Sequence, residues 1–116
     1  MLTGLFISNI GAVLTLILGV VAILLPERIQ SFVSIRAVGK EGESEVRATY
    51  GGFFAGIAAY ALFSQTSEVF LVIGLGWLAA SVIRLLSLLK GCYSLKNLGA
   101  VFFEGTIGIL CSASAF

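Results

Sequence analysis

Residues 69–89 read VFLVIGLGWLAASVIRLLSLL, a run in which Arg84 is the single charge and which Lys90 closes. A helix of that length extends about 30 Å, the thickness of the hydrocarbon layer of a bilayer. Lipid cannot satisfy free backbone amides, so a run like this crosses as a helix, and the alternating segments of about ten residues that a membrane barrel needs are absent. Three more stretches read the same way. Residues 2–25 carry no charge before Pro26-Glu27-Arg28, residues 47–63 are short for a crossing, and residues 98–115 are interrupted only by Glu104. The sequence therefore predicts an all-α chain, a four-transmembrane-helix bundle forming a single integral membrane domain over residues 1–116.

Composition requires the same solvent. Hydrophobic residues make up 59% of the 116 positions and charged ones 11%, against about 25% charged in a soluble domain. A soluble fold this small exposes too much of its surface to hide so much apolar area. The first run is read as a permanent span and not as a cleaved leader, because no Lys or Arg precedes Arg28.

The connections are 26–46, a tight turn at Gln65, Thr66, Ser67 and Glu68, and 90–97. In the first, Ile29, Phe32, Val33 and Ala37 recur at helical spacing, which suggests a short interfacial helix with Arg28 and Arg36 near headgroups. Gly39-Lys40-Glu41-Gly42-Glu43-Ser44 then reads as a charged turn. Arg28, Arg36, Lys40 and Arg47 lie in or beside the first connection, and Lys90 and Lys96 flank the third. Basic residues concentrate on the cytoplasmic side, so those two connections are expected to be cytoplasmic and both termini extracytoplasmic.

Several chemistries are excluded by what the chain lacks. A net charge of +1 provides no field for nucleic acid, and the absence of histidine removes His-based triads and dyads and histidine-bound zinc or haem. Cys92 and Cys111 lie about 28 Å apart along one helix, too far for a bridge, and are read as buried or interfacial thiols. No catalytic residue, metal ligand or cofactor is expected.

Helices in lipid approach closely where residues are small. Span one offers Gly11, Thr15 and Gly19, and span two offers Gly51-Ala55-Ala59 beside Gly52-Gly56. Gly76 and Ala80 in span three and Gly108 and Ser112 in span four complete the set. Internal packing is the favoured use of all these stripes, including the G-x-x-x-G of span two. Trp77 is read as a packing residue, with Tyr50, Tyr60 and Tyr93 nearer the boundaries.

Arg84 and Glu104 are the charges inside the membrane. Either one unpaired at mid-helix costs roughly 2.5–3.5 kcal/mol. Arg84 lies about 9 Å inside the boundary marked by Lys90, and Glu104 about 10 Å inside the same boundary. On an antiparallel hairpin the two arrive at one depth and are expected to pair. Arg47, Tyr50 and Glu45, at the cytoplasmic end of span two, are expected to join them, Arg47 either reaching Glu104 or snorkelling to headgroups. The cluster is read as a structural lock on helix register, with a ligand-binding or proton-carrying site as the rival.

The segment Glu45-Val46-Arg47-Ala48-Thr49-Tyr50-Gly51-Gly52 has the form E-x-R-A-x-Y-G-G. It resembles the signature of a family of small bacterial four-helix membrane proteins of unknown function, as do Arg84-Leu85-Leu86-Ser87 in span three and Glu104 in span four. The resemblance spans the chain and implies the same architecture and a shared constellation of Glu45, Arg47, Tyr50, Arg84 and Glu104, with no activity attached. Three functions are then weighed. The first is an accessory subunit of a larger membrane complex or a self-associating bundle, with the bilayer and a membrane protein or a second copy as partners. The second is a small proton- or ion-coupled transporter using Glu104 and the arginines. The third is a lipid- or isoprenoid-binding protein or enzyme, for which only Glu104, Tyr50 and the arginines could do acid–base work.

Overall fold

A computed structural model describes residues 2–116, which are helical apart from short connections, with no strand among them. In chain order they form α1 (Leu2–Leu24), α2 (Pro26–Val33), α3 (Gly39–Val46), a π-helical segment (Arg47–Phe53), α4 (Phe54–Ser64), α5 (Ser67–Leu89), α6 (Leu95–Ser112) and a closing 3-10 turn (Ala113–Ala115). Three helices are long and apolar enough to cross a membrane: Leu2–Leu24, Ser67–Leu89 and Leu95–Ala115. They coincide with the first, third and fourth expected spans.

Residues 47–63 are built differently. The backbone stays in the right-handed helical region through Val46, Arg47 and Phe54, so α3, the π segment and α4 follow one another along a single helical path. The π turns occupy Arg47–Phe53, the segment that contains most of the E-x-R-A-x-Y-G-G motif. Such turns are rare and usually short, and they concentrate at sites under functional constraint.

The connection 26–46 departs from its expected form at Gly39–Ser44, which is helix and not turn. Glu41 in the first turn of α3 complements the helix dipole, and Glu43 pairs with Arg47 one turn on. The glycines that suggested a turn have local reasons. Gly39 sits at φ +65°, and a Cβ on Gly42 would lie 3.1 Å from the carbonyl carbon of Ala37. The short helix α2 begins with Pro26 in its first turn, where a missing N–H costs nothing. It ends at Ser34 in the left-handed conformation, and the Gln30 side chain accepts the Ala37 N–H at 2.7 Å. Ile29, Val33 and Ala37 turn inward as expected, while Phe32 is exposed.

The chain forms two compact units. One is Val13–Phe63. Its core is Ala22, Ile29 and Val46, with Leu18, Val21, Val33, Ala37 and Tyr50 packed around them. Here α1 meets the π segment and α4 backbone to backbone. A Cβ on Gly19 would fall 2.6 Å from the Ala55 amide nitrogen, and one on Gly51 would meet the Ile23 side chain at the same distance. Gly52 and Gly56, also expected to pack internally, do not. Both are exposed, and nothing lies within 4 Å of a Cβ built on Gly56. Of the two parallel small-residue ladders, the one with Gly51 and Ala55 packs against α1 at those two positions, while its Ala59 is exposed.

The other unit joins the start of α1, as far as Ala12, to Ser64–Phe116. Its centre is the antiparallel pair α5 and α6, which interlock through small residues. A Cβ on Gly74 would lie 2.9 Å from the Gly108 carbonyl oxygen, and one on Gly108 would lie 2.6 Å from Leu78. The first turns of α1 dock on the end of α6, where Gly11 lies against the backbone and sulfur of Cys111. The Ser8 hydroxyl donates to the Cys111 carbonyl at 2.8 Å and accepts the Ser114 N–H at 3.0 Å. Cys111 is buried and Cys92 exposed, and both are free thiols. The outer surface of α5 is apolar, with Val72, Leu75, Val82, Ile83 and Leu89 all exposed.

These approaches give an ordered expectation. Gly19→Ala should destabilise the protein by about 1–3 kcal/mol, because backbone and not a flexible side chain occupies the space. Gly76→Ala, at a helical position with nothing within 4 Å, should be neutral or stabilising by up to about 1 kcal/mol. Reversible SDS unfolding followed by circular dichroism measures both.

Candidate functional site

The interface between α5 and α6 changes character along its length. At the Gly74 end it is held by close packing, with the buried Ser112 hydroxyl against Gly74 and without a hydrogen-bond partner. Toward Lys90 it becomes polar. The Ser81 hydroxyl donates to the Val101 carbonyl at 2.7 Å, and Gly105 leaves room for that side chain, since a Cβ there would lie 3.2 Å from Ser81 Oγ. One turn further, Arg84 Nε donates to Glu104 Oε1 at 2.8 Å. The Asn97 amide reaches the Arg84 carbonyl and the Cys92 carbonyl, each at 3.4 Å.

Each partner is positioned by its helix. Ser81 meets Val101 directly, whereas Arg84, three residues nearer Lys90, reaches back along α5 to Glu104, three residues beyond Val101 on α6, so the ion pair runs diagonally across the antiparallel interface. The first turn of α6 is fixed by Ser94, whose hydroxyl oxygen accepts the Asn97 N–H at 3.0 Å as an N-cap. That cap also holds Asn97 beside the Arg84 backbone.

Burial is unequal across the ion pair. The Glu104 side chain is 11% exposed and that of Arg84 34%. The carboxylate is thus enclosed while the guanidinium reaches the surface. The pair is joined through Nε, and among the described residues Arg84 makes no bond through its two Nη atoms. Those atoms are accessible, since among the described residues only Ser112 Oγ is a buried side-chain polar atom lacking a partner.

The remaining expected members lie in the other unit. Arg47 Nη2 lies 3.3 Å from Glu43 Oε1 in an i,i+4 pair with side chains 50% and 42% exposed. Glu45 is exposed, and Tyr50 packs against the Ala22, Ile29 and Val46 cluster with its ring edge-on to Phe54 at 6.0 Å. Arg47 pairs with Glu43, and a carboxylate one turn away on the same helix satisfies the guanidinium without desolvation.

Sequence reasoning passed over the amides. Asn9 on α1 and Gln65 before α5 form a reciprocal pair, Nδ2 donating to Oε1 at 2.9 Å and Nε2 to Oδ1 at 2.7 Å. The second Asn9 amide hydrogen meets the Leu5 carbonyl at 2.8 Å. Its signal was available, since Asn9 is the single carboxamide in an uncharged run and an amide in lipid seeks partners. Asn97 was read as part of a connection, so its place in the first turn of α6 went unnoticed. No group of three or more Cys, Asp or Glu among the described residues is arranged to hold a metal ion.

Compared with models of protein families, with curated proteins and with solved structures, the chain has no match.

Arg84→Ala should destabilise the protein by about 3 kcal/mol, the lower end for breaking a buried pair because the arginine keeps part of its surface. The double change Arg84→Ala with Glu104→Ala should recover a large part of that loss, because no enclosed carboxylate is then left unpaired. SDS unfolding of the two singles and the double, analysed as a mutant cycle, measures the coupling.

Proposed function

We propose that this is an integral protein of a bacterial cytoplasmic membrane that acts through association, as an accessory subunit of a larger membrane complex or as a self-associating bundle. Its four spans are residues 2–25, 47–63, 69–89 and 98–115, with both termini extracytoplasmic. The apolar run exposed along α5, Val72, Leu75, Val82, Ile83 and Leu89, supports a lipid-facing setting. The helical path through Arg47–Phe53 and α4, whose only charge is at its Arg47 end, supports the second crossing.

One observation carries the association reading. Gly51 is used inside the chain, whereas Gly52 and Gly56 on the neighbouring ladder are open. Two small residues four apart on a helix surface allow another helix to approach at backbone distance. The transport reading has a buried carboxylate in its favour, but Glu104 is engaged by Arg84 Nε, and a proton carrier has to exchange that partner in every cycle. The resemblance in the E-x-R-A-x-Y-G-G motif agrees with the four-span architecture and brings no activity.

Gly56→Ile tests the proposal. Its side chain enters open space, so stability and helix content should stay near those of the unaltered protein, while co-purification or self-association after gentle solubilisation should fall at least about tenfold. Native gels and energy transfer between labelled copies read this. An unaltered protein that runs as a clean monomer without partners overturns the reading, and proton-driven solute flux lost in Glu104→Gln would replace it with transport.

A further inference from the structure

Three apolar side chains stand in the open where the chain passes from α2 to α3. Phe32, Ile35 and Val38 are all exposed, Val38 at 83%. Of the residues whose spacing suggests an interfacial helix, Ile29, Val33 and Ala37 are taken into the protein's own core. That packing also holds the corner close to the end of α1. Leu25 is the single residue between α1 and α2, and Ile29 shares a cluster with Ala22, two residues before α1 ends. Val33 and Ala37 pack on the same cluster. Phe32 and Val38 each adjoin one of those two residues, and Ile35 is two residues from both, at most about 7 Å of extended chain. None of the three can leave the neighbourhood of the last turns of α1.

What surrounds those turns therefore surrounds the corner. Val20, Ile23, Leu24 and Leu25 are exposed there, so with α1 crossing the bilayer the medium is lipid up to the start of α2. The backbone of the corner suits a place short of water. The Gln30 carbonyl accepts the N–H of Ser34 and of Ile35, and its side-chain oxygen accepts that of Ala37 at 2.7 Å. The Val38 carbonyl accepts the Gly42 N–H at 3.0 Å. Water would serve such groups on a solvated loop, whereas within the lipid boundary an unmet amide is costly. Arg28 and Arg36, both exposed, have stems long enough to return their charge to the headgroups.

We infer that this corner is a membrane wedge: Phe32, Ile35 and Val38 dip into lipid at the boundary where α1 ends, while the other apolar face of α2 is held by the protein. The inference rests on the membrane reading of α1 and is independent of the association proposal.

Nitroxide labels at Ile35→Cys and at Val38→Cys test it, each with Cys92→Ser in the full chain in phosphatidylcholine vesicles. Cys111 is buried and stays. Both labelled side chains are exposed in irregular backbone, so the helices stay intact. Collisions with oxygen, which concentrates in lipid, should outweigh those with a water-soluble nickel chelate, placing both labels about 5–10 Å below the phosphates. A label at Ile17→Cys, exposed on α1, gives the hydrocarbon reference. Nickel collisions that dominate at either corner position overturn the wedge, and with the Ile17 label in hydrocarbon they leave the membrane reading standing. Shielding from both reagents means that a protein surface covers the corner, and overturns the wedge as well. An Ile17 label open to nickel overturns the wedge and the membrane reading of α1 together.

Discussion

An enclosed carboxylate on an apolar helix constrains everything near it. Glu104 sits within the α5–α6 pair, and a donor that reaches it from the facing helix meets it without bringing water in. Arg84 does so, which sets the register of the two helices at that end. Ser81 with Val101 and Gly74 with Gly108 hold one antiparallel register, and the long Arg84 side chain spans it diagonally to Glu104. A slip of one residue along either helix would separate the charges and drive side chains into backbone, so polar and steric terms specify the same alignment. Few other interactions in lipid can enforce a register, because greasy side chains gain little from one another that acyl chains would not offer.

The second unit uses a different device. Gly19 and Gly51 permit contact between main chains, and the short helices α2 and α3 fold back so that Ile29 and Val46 close over Ala22. Arg47 has its counter-charge on its own helix, in Glu43. Two ion pairs therefore serve two purposes: Arg84–Glu104 joins separate helices, whereas Glu43–Arg47 supports one helix from within and is worth a few tenths of a kcal/mol at most.

What could be read from the chain, and what could not, divides along physical lines. The long apolar runs and the pairing of Arg84 with Glu104 were legible, because a run of that length and hydropathy forms a helix able to cross a membrane, and a charge on an apolar helix must find its opposite. Which of two adjacent small-residue ladders faces inward was not, since Gly51 and Gly52 differ by one position and nothing in composition distinguishes their sides. Gly39–Ser44 was misread because glycine and charge signal a turn when neighbours are ignored, and here Glu41, Glu43 and the helix that follows outweigh them. Glu43 as a partner of Arg47 is legible in the chain for a simpler reason. A partner four residues away is always available, while one on another helix must be brought there.

The widened turns between Arg47 and Phe53 bear on how this chain can be drawn. Bonding from each amide to the fifth residue back consumes more residues per revolution than an ordinary helix. A wheel plotted at a constant hundred degrees per step therefore accumulates error across this stretch. Positions on α3 and on α4 that look aligned in such a projection are rotated apart in space. A one-residue deletion that restored ordinary winding would offset the wider turns and keep the surface that carries Gly56 near its present azimuth, whereas rewinding every residue of the stretch as ordinary helix would swing it to another side.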